Sequence, residues 1–107
     1  MIAITVKFRV KDEHVGQWPA LVAEFTAATR AEEGNLWFEW SRSLEEPGTY
    51  VLIEAFTDDG AEPHVTSAHF AKAMGEGGLG QYLVDRPKIV SVQAPGESWS
   101  ELGEIQL

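Results

Sequence analysis

The chain has 107 residues, 44% of them hydrophobic, and a formal net charge of −9 from 8 basic and 17 acidic side chains. This length is typical of one globular domain. The acidic balance argues against nucleic acid as a partner, since that interaction depends on clustered Lys and Arg. Because the chain has no cysteine, disulfides, thiolate metal sites and a cysteine nucleophile are excluded.

The N-terminal residues predict a strand. Apolar residues alternate with polar or small ones from Ile2 to Val10, the period of two that a half-buried strand shows. No basic segment precedes an apolar run, and no apolar run approaches the roughly 20 residues that span a bilayer. We therefore expect a cytoplasmic protein that does not bind membranes.

The next segment, from about residue 12 to residue 33, predicts a helix. Apolar residues there recur at helical spacing: Val15, Trp18, Val22 and Phe25. Pro19 suits the first turn or a kink. Gly34 is expected to follow the helix in a left-handed conformation.

Strands are then expected over residues 35–44 and 49–57, joined by a turn whose Pro47-Gly48 pair suits type II. Asp58 or Asp59 is expected to cap a second helix that runs to about Met74, and residues 88–93 form a fourth strand. The order β-α-β-β-α-β predicts an α+β, ferredoxin-like fold, with both helices on one face of a four-stranded antiparallel sheet. We expect this domain to cover residues 1–94.

The central hairpin is apolar on both faces, which predicts a partner. Along the third strand, Val51, Ile53 and Ala55 alternate with Tyr50, Leu52 and Phe56. Two helices on one face leave the other face uncovered, so we expect a homodimer whose sheets meet face to face. Residues 95–107 are expected to form a C-terminal arm that packs on this dimer.

Three segments together resemble the antibiotic biosynthesis monooxygenase (ABM) family, including its quinol-monooxygenase-like members. They are EGNLWFEW at 33–40, EPGTYVLIEAF at 46–56 and HVTSAHF at 64–70, and the similarity extends over about residues 2 to 93. The resemblance implies a dimeric α/β-barrel. It leaves the reaction open, because cofactor-independent oxygenases of phenols or quinols, haem-degrading enzymes and small-molecule isomerases share the pattern.

One departure from the pattern disfavours haem degradation. Haem-degrading relatives carry a tryptophan where the second helix starts and a haem-ligating histidine one turn after the Ser-x-x-Phe segment. His64 and Met74 hold those places here. Since no nucleotide motif or metal cluster is evident either, we expect no cofactor, and the substrate must supply the electrons, as the resemblance to the family's oxygenases also implies.

His64 and His69 are the candidate groups for proton transfer, because histidine titrates near neutrality. On one continuous helix their side chains would diverge by roughly 140°, so no metal site is expected. His64, near the helix start, is the candidate base, and His69 a substrate-binding residue at the rim of the site or at the dimer contact. The alternative is that His64 only hydrogen-bonds to Glu54 or to a backbone carbonyl.

The second strand supplies further candidates. Asn35, Trp37 and Glu39 alternate onto one face, where the Asn35 amide could stabilise an oxyanion and the Trp37 indole could stack on a flat ring. Trp37 suits the core equally well. Glu54 is expected to hold His64 or an arginine in place, with a pKa raised by its apolar neighbours, and Arg86 could reach an anionic substrate.

Residues 75–80 match the glycine pattern GxGxxG, but they follow a helix, whereas the dinucleotide-binding pattern follows a strand. We expect a loop there that closes over the pocket.

These observations predict a monooxygenase that oxidises a planar phenolic, quinol or polyketide-like molecule with O₂. His64 and Asn35 are the expected catalytic residues, and Trp37, Glu54, His69 and Arg86 are the expected substrate-binding residues. Two alternatives remain, an isomerase or lyase that uses a histidine base and a non-catalytic dimer that binds a metabolite.

Overall fold

A computed structural model describes all residues from 1 to 107. Its sheet has four strands, β1 (Ile2–Arg9), β2 (Asn35–Arg42), β3 (Thr49–Phe56) and β4 (Lys88–Gln93). Their order is β2-β3-β1-β4, and every neighbouring pair is antiparallel. The predicted ferredoxin-like α+β fold is confirmed.

The first helical region is divided into three pieces. A 3₁₀ helix (Asp12–Gln17) leads into α1 (Trp18–Leu21), and α2 (Ala23–Arg30) follows after Val22. Pro19 lies in the first turn of α1, where its missing N–H costs no hydrogen bond. The prediction of one helix to residue 33 is therefore too long.

Gly34 and Gly48 illustrate two different reasons for glycine. Gly48, in the turn between β2 and β3, has a φ of 76°, as the predicted type II turn requires. Gly34 is not among the glycines with positive φ, so its expected left-handed conformation is wrong. A Cβ on Gly34 would lie 2.6 Å from Gly60 Cα, and the absence of a side chain permits this close backbone contact.

The second helical region is also interrupted. α3 (Ala61–Val65) begins at Gly60 with no side-chain cap, so the expected caps Asp58 and Asp59 are wrong. α4 (Ala68–Met74) begins at Ser67, whose Oγ accepts a hydrogen bond from the Phe70 N–H. Ser67 stops the preceding helix as well, because its hydroxyl donates to the His64 carbonyl at 2.7 Å.

One face of the sheet forms the hydrophobic core with the helices. Phe8, Phe38 and Leu52 point to this face and pack with Trp18 and Phe25 of the first helical region. The core fixes both helical regions on the same side of the sheet, as the predicted fold requires.

The other face of the sheet remains open. Val90 and Val92 of β4 are 64% and 51% exposed, and Val51 and Ile53 of β3 are half-buried. Beyond β4, Trp99 packs against Trp37 of β2 with ring centroids 5.0 Å apart. The segment after residue 94 thus returns to the sheet through one aromatic contact.

None of the helices has both the length and the apolar composition that crossing a bilayer requires.

Candidate functional site

Two histidines and one carboxylate meet beside the covered face of the sheet. His64 donates from Nδ1 to Oε2 of Glu32 at 2.8 Å, and His69 donates from Nε2 to the same oxygen at 2.5 Å. The imidazole centroids are 6.0 Å apart. The expectation that the two side chains diverge is therefore wrong, and so is the geometric argument that they could not share a metal.

The interruption at Ser67 explains this convergence. His64 lies in α3 and His69 in α4, so the 100° per residue of a continuous helix does not relate them. His64 also lies in the last turn of α3. The helix-start electrostatics expected for it consequently do not apply.

Close packing of two glycines brings Glu32 to the histidines. The Thr57 N–H donates to the Gly34 carbonyl at 2.9 Å, and Gly34 lies directly against Gly60, the residue before α3. This contact joins the loop that carries Glu32 to the start of the helix that carries His64.

Burial strengthens the electrostatic interactions within this cluster of Glu32, His64 and His69. The side chains of Glu32 and His64 are 14% and 5% exposed, and that of His69 is 24% exposed. Oε1 of Glu32 is buried without a hydrogen-bond partner, which is unusual for a carboxylate oxygen. The cluster therefore offers one unused acceptor.

Glu54 is a second carboxyl group next to the cluster. Its Oε1 lies 3.9 Å from Nε2 of His64, too far for a hydrogen bond. Burial, together with the nearby negative charge of Glu32, raises the pKa of Glu54 to about 7. The sequence predicts a raised pKa for Glu54, and this direction is confirmed. The sequence also predicts that Glu54 holds His64, but the hydrogen-bond partner of His64 is Glu32.

A cavity of about 210 Å³ opens beside His69. The lining comes from α1, α2, α4, the glycine-rich loop and the 3₁₀ turn Leu79–Tyr82, and it includes Phe25, Ala73, Gly78 and Tyr82. At this cavity Lys72 donates to Glu24 at 2.9 Å, and that hydrogen bond lowers the pKa of Glu24. His69, rather than His64, is the histidine that lines the cavity.

The glycine-rich loop borders this cavity, and its expected closing motion stays a prediction. Gly77 and Gly78 are among its lining residues, and Gln81 donates to both of their carbonyls, at 2.6 and 3.0 Å. The loop is thus held in place by its own hydrogen bonds.

The candidates on β2 lie elsewhere. A β-bulge falls between Asn35 and Trp37, which interrupts the alternation that was expected to place them on one face. The Asn35 amide donates to the carbonyls of Trp37 and Ala55, so it stabilises the bulge. Trp37 pairs with Ala55, whereas Phe38 pairs with Glu54, so Trp37 faces away from the cluster.

Arg86 is exposed and does not line the cavity. Its proposed contact with an anionic substrate, like the roles of Asn35 and Trp37 toward substrate, stays a prediction.

Glu32 is the residue that sequence reasoning missed. It follows α2 in the acidic pair Glu32-Glu33 before Gly34, and acidic pairs at helix ends are usually solvated. The only available signal was that Gly34 could permit close packing, which would bury whatever carboxylate preceded it.

Comparison with known proteins adds independent information. The sequence model of the family described as "Antibiotic biosynthesis monooxygenase" matches residues 1–76. A Bacillus subtilis (strain 168) protein named "Putative monooxygenase YcnE" is 28% identical over 78 residues, which is 72% of this chain and 82% of that protein.

Solved structures match over most of both chains. A conserved protein from Methanosarcina mazei Go1 has 26% identity and a TM-score of 0.77 over 86% of this chain and 90% of its own. The structure described as a putative antibiotic biosynthesis monooxygenase from Deinococcus radiodurans has 24% identity and a TM-score of 0.79, over 96% of this chain and 100% of its own. The second match concerns the fold alone.

Proposed function

Because the chain belongs to the antibiotic biosynthesis monooxygenase family, we propose that it oxidises a small planar phenol or quinol with O₂ and without a bound cofactor. The family match and the related monooxygenase support a monooxygenase-like function. The observation that carries the finer proposal is the position of His69, which lines the cavity and also donates to the buried Glu32.

The size of the cavity favours a small substrate. Pockets for drug-sized ligands hold roughly 300 to 1,000 Å³, whereas this cavity holds about 210 Å³. A phenol or quinol of one or two rings suits it better than a larger polycycle. Aromatic side chains in the lining, Phe25 and Tyr82, offer flat surfaces against which such a ring can pack.

His69 is the proposed base. Donation from its Nε2 to Glu32 leaves Nδ1 with the lone pair, and the carboxylate stabilises the imidazolium that forms when Nδ1 takes the phenol proton. His64 holds the same carboxylate oxygen from the other side, so it acts as a positioning residue. This assignment replaces His64 as the base.

The reaction balances without an external reductant. The phenolate gives one electron to O₂, the resulting superoxide and phenoxyl radical combine into a hydroperoxide, and loss of water leaves a quinone. A phenol and one O₂ thus yield one quinone and one water, and the substrate supplies all four electrons that O₂ accepts. The protein's part is deprotonation, orientation and exclusion of bulk water.

Oxygen uptake with a panel of small phenols and quinols tests this proposal. We expect His69→Ala to lower turnover by about 100-fold or more, the usual contribution of a general base, whereas His14→Phe should retain it. His14 is the matched control because its hydrogen-bond partner is Gln17, outside the cluster, and phenylalanine keeps the ring that packs against Tyr82.

Three outcomes would contradict the proposal. Equal turnover by wild type and His69→Ala would show that His69 is not the base. Product formation at an unchanged rate without O₂ would replace oxygenation by isomerisation or lysis through the same histidine. Thermal stabilisation by a phenol with no product formed would indicate a binding protein.

The open face of the sheet supports a homodimer in the same proposal. Val90 and Val92 of β4 and Ile53 of β3 lie on this face, with Ala3 and Thr5 of β1 between them, and monomers rarely leave large apolar patches uncovered. A second copy that packs its sheet on this face would cover it. Residues 1–94 would form the domain, and residues 95–107 the arm that extends along the interface.

A further inference from the structure

The cluster of Glu32, His64 and His69 has the donor set of a metal centre. Oε2 of Glu32, Nδ1 of His64 and Nε2 of His69 lie within 4.8 Å of one another. They come from three separate segments, the loop after α2, then α3 and α4. We propose that these residues bind one divalent transition-metal ion, with water from the cavity completing its coordination.

The ligand types define the class of ion. Two imidazoles and one carboxylate suit Zn²⁺, Co²⁺, Ni²⁺ and Fe²⁺, whereas Mg²⁺ and Ca²⁺ prefer oxygen ligands alone. Zn²⁺ and Co²⁺ are thus suitable probes, and Mg²⁺ is a suitable negative control.

The unpartnered oxygen of Glu32 supports this inference independently. Oε1 is buried without a hydrogen-bond partner, and leaving a buried acceptor unsatisfied costs free energy. A metal bound by both carboxylate oxygens, or a metal-bound water that donates to Oε1, would satisfy it. Two histidines that share one oxygen while the other is unused are poorly explained by hydrogen bonding alone.

Only a small rearrangement admits the ion. Two ligands about 2.1 Å from a metal, at tetrahedral or octahedral angles, lie roughly 3.0 to 3.4 Å apart. The present N–O separations are 2.8 and 2.5 Å. Each N–O pair must therefore separate by a few tenths of an ångström to about 1 Å. The two imidazole nitrogens, which lie within 4.8 Å of one another, must come to the same ligand spacing.

The surroundings provide an outer partner and a route. Nε2 of His64 stays free when Nδ1 binds a metal, and metal-bound histidines usually donate that second N–H to a carboxylate. Glu54 Oε1 lies 3.9 Å away, so it must approach by about 1 Å to accept this hydrogen bond. His69 lines the cavity, so an ion and its waters can reach the cluster from there.

Metal binding and base catalysis exclude each other at these residues. An ion bound to Nε2 of His69 leaves the ring proton on Nδ1, the atom that must accept the phenol proton, and it also neutralises the Glu32 charge, so Zn²⁺ should inhibit the oxidation. This consequence rests on the proposed function, whereas the binding site itself does not.

The experiment uses the full chain, freed of metal with EDTA and dialysed. Titration with Co²⁺ followed by absorption, and with Zn²⁺ followed by calorimetry, should show one ion per chain and a rise in Tm with metal concentration. Visible Co²⁺ bands of a low-coordinate nitrogen-containing site are expected. Mg²⁺ should leave Tm unchanged.

Variants locate the site. His69→Ala and Glu32→Gln should each weaken Zn²⁺ binding by about 100-fold or more, and His14→Ala should bind as wild type does. Glu32→Gln preserves the size of the buried side chain. It can therefore still test the location of the site if His69→Ala fails to fold.

Absence of Zn²⁺ and Co²⁺ binding to wild type, or equal binding by wild type and Glu32→Gln, would overturn the site. Oxygen uptake by metal-free protein is measured separately, so failure of the proposed metal site can be distinguished from failure of the proposed function.

Discussion

The two faces of the sheet differ in chemistry although the same strands supply both. On β3, Glu54 points to the covered face and lies near His64, whereas Ile53 and Ala55, its neighbours in sequence, point to the open face. The covered face concentrates titratable groups in a dry setting. The open face carries apolar side chains and the Trp37–Trp99 contact. The difference puts the proposed catalytic site and the proposed subunit interface on opposite faces of the sheet.

The largest expected effect concerns the open face. Val92→Asp should raise the dissociation constant of the proposed dimer by about 100-fold or more, because a two-fold interface buries the unpaired charge twice. Sedimentation velocity over a range of concentrations measures this. Ile89→Asp is the matched control, since Ile89 is 63% exposed on the same strand but the other face. A monomeric wild type, or equal dissociation in both variants, would refute the role of the open face.

Gly60→Ala should break the assembly of the covered face. The added Cβ would lie 2.8 Å from the Gly34 carbonyl oxygen and 2.9 Å from Gly34 Cα, so the two loops must separate. We expect a loss of about 2 kcal/mol in the free energy of unfolding, measured by urea titration. Gly16→Ala, whose Cβ meets nothing within 4 Å, should cost much less. Equal losses would show that the Gly34–Gly60 contact does not hold the cluster together.

Glu54 gives the covered face a pH dependence. Its pKa is about 7 in the folded protein and near 4.5 when unfolded, so between these values the folded state holds the extra proton. Stability from this group is complete below about pH 4.5 and is lost as the pH rises through 7.

Wild type should accordingly lose roughly 2 kcal/mol of stability between pH 5 and pH 7.5 relative to Glu54→Gln, which cannot titrate. Urea titrations in EDTA at several pH values measure the difference. Parallel pH profiles for the two proteins would mean that Glu54 does not titrate in this range.

The smallest expected effect is at the arm. Trp99→Ala removes one aromatic contact with Trp37, and we expect a loss of at most about 1 kcal/mol, with Trp99→Phe largely restoring it. Trp99 is 67% exposed, which limits the area lost. A loss larger than that of Gly60→Ala would show that the arm is integral to the domain.

The strands were predictable because their period of two is a local property. Alternation from Ile2 to Val10 and from Tyr50 to Phe56 depends only on which side chains are apolar, and it located β1 and β3 to within a few residues. The prediction failed at the β2 bulge, since an extra residue in one strand is defined by its pairing with another. The relation expected between Asn35 and Trp37 failed for the same reason.

The helix-borne site was less predictable. Helical spacing correctly located residues that pack on the sheet, such as Val22 and Phe25, but it assumed continuity through Ser67. A serine inside a helical pattern is compatible both with continuation and with a new helix cap. In the folded protein Ser67 caps a new helix, and this break turns His64 and His69 toward each other.

The sequence by itself determined the order of elements, the apolar character of both faces of the central hairpin, and the family resemblance. These properties follow from local periodicity and short motifs. The tertiary structure alone decided that Glu32 joins His64 and His69, and that His69 lines the cavity. These relations depend on the contact between Gly34 and Gly60, which are 26 residues apart in the chain. Close contact between distant backbone segments leaves no periodic signal in the sequence.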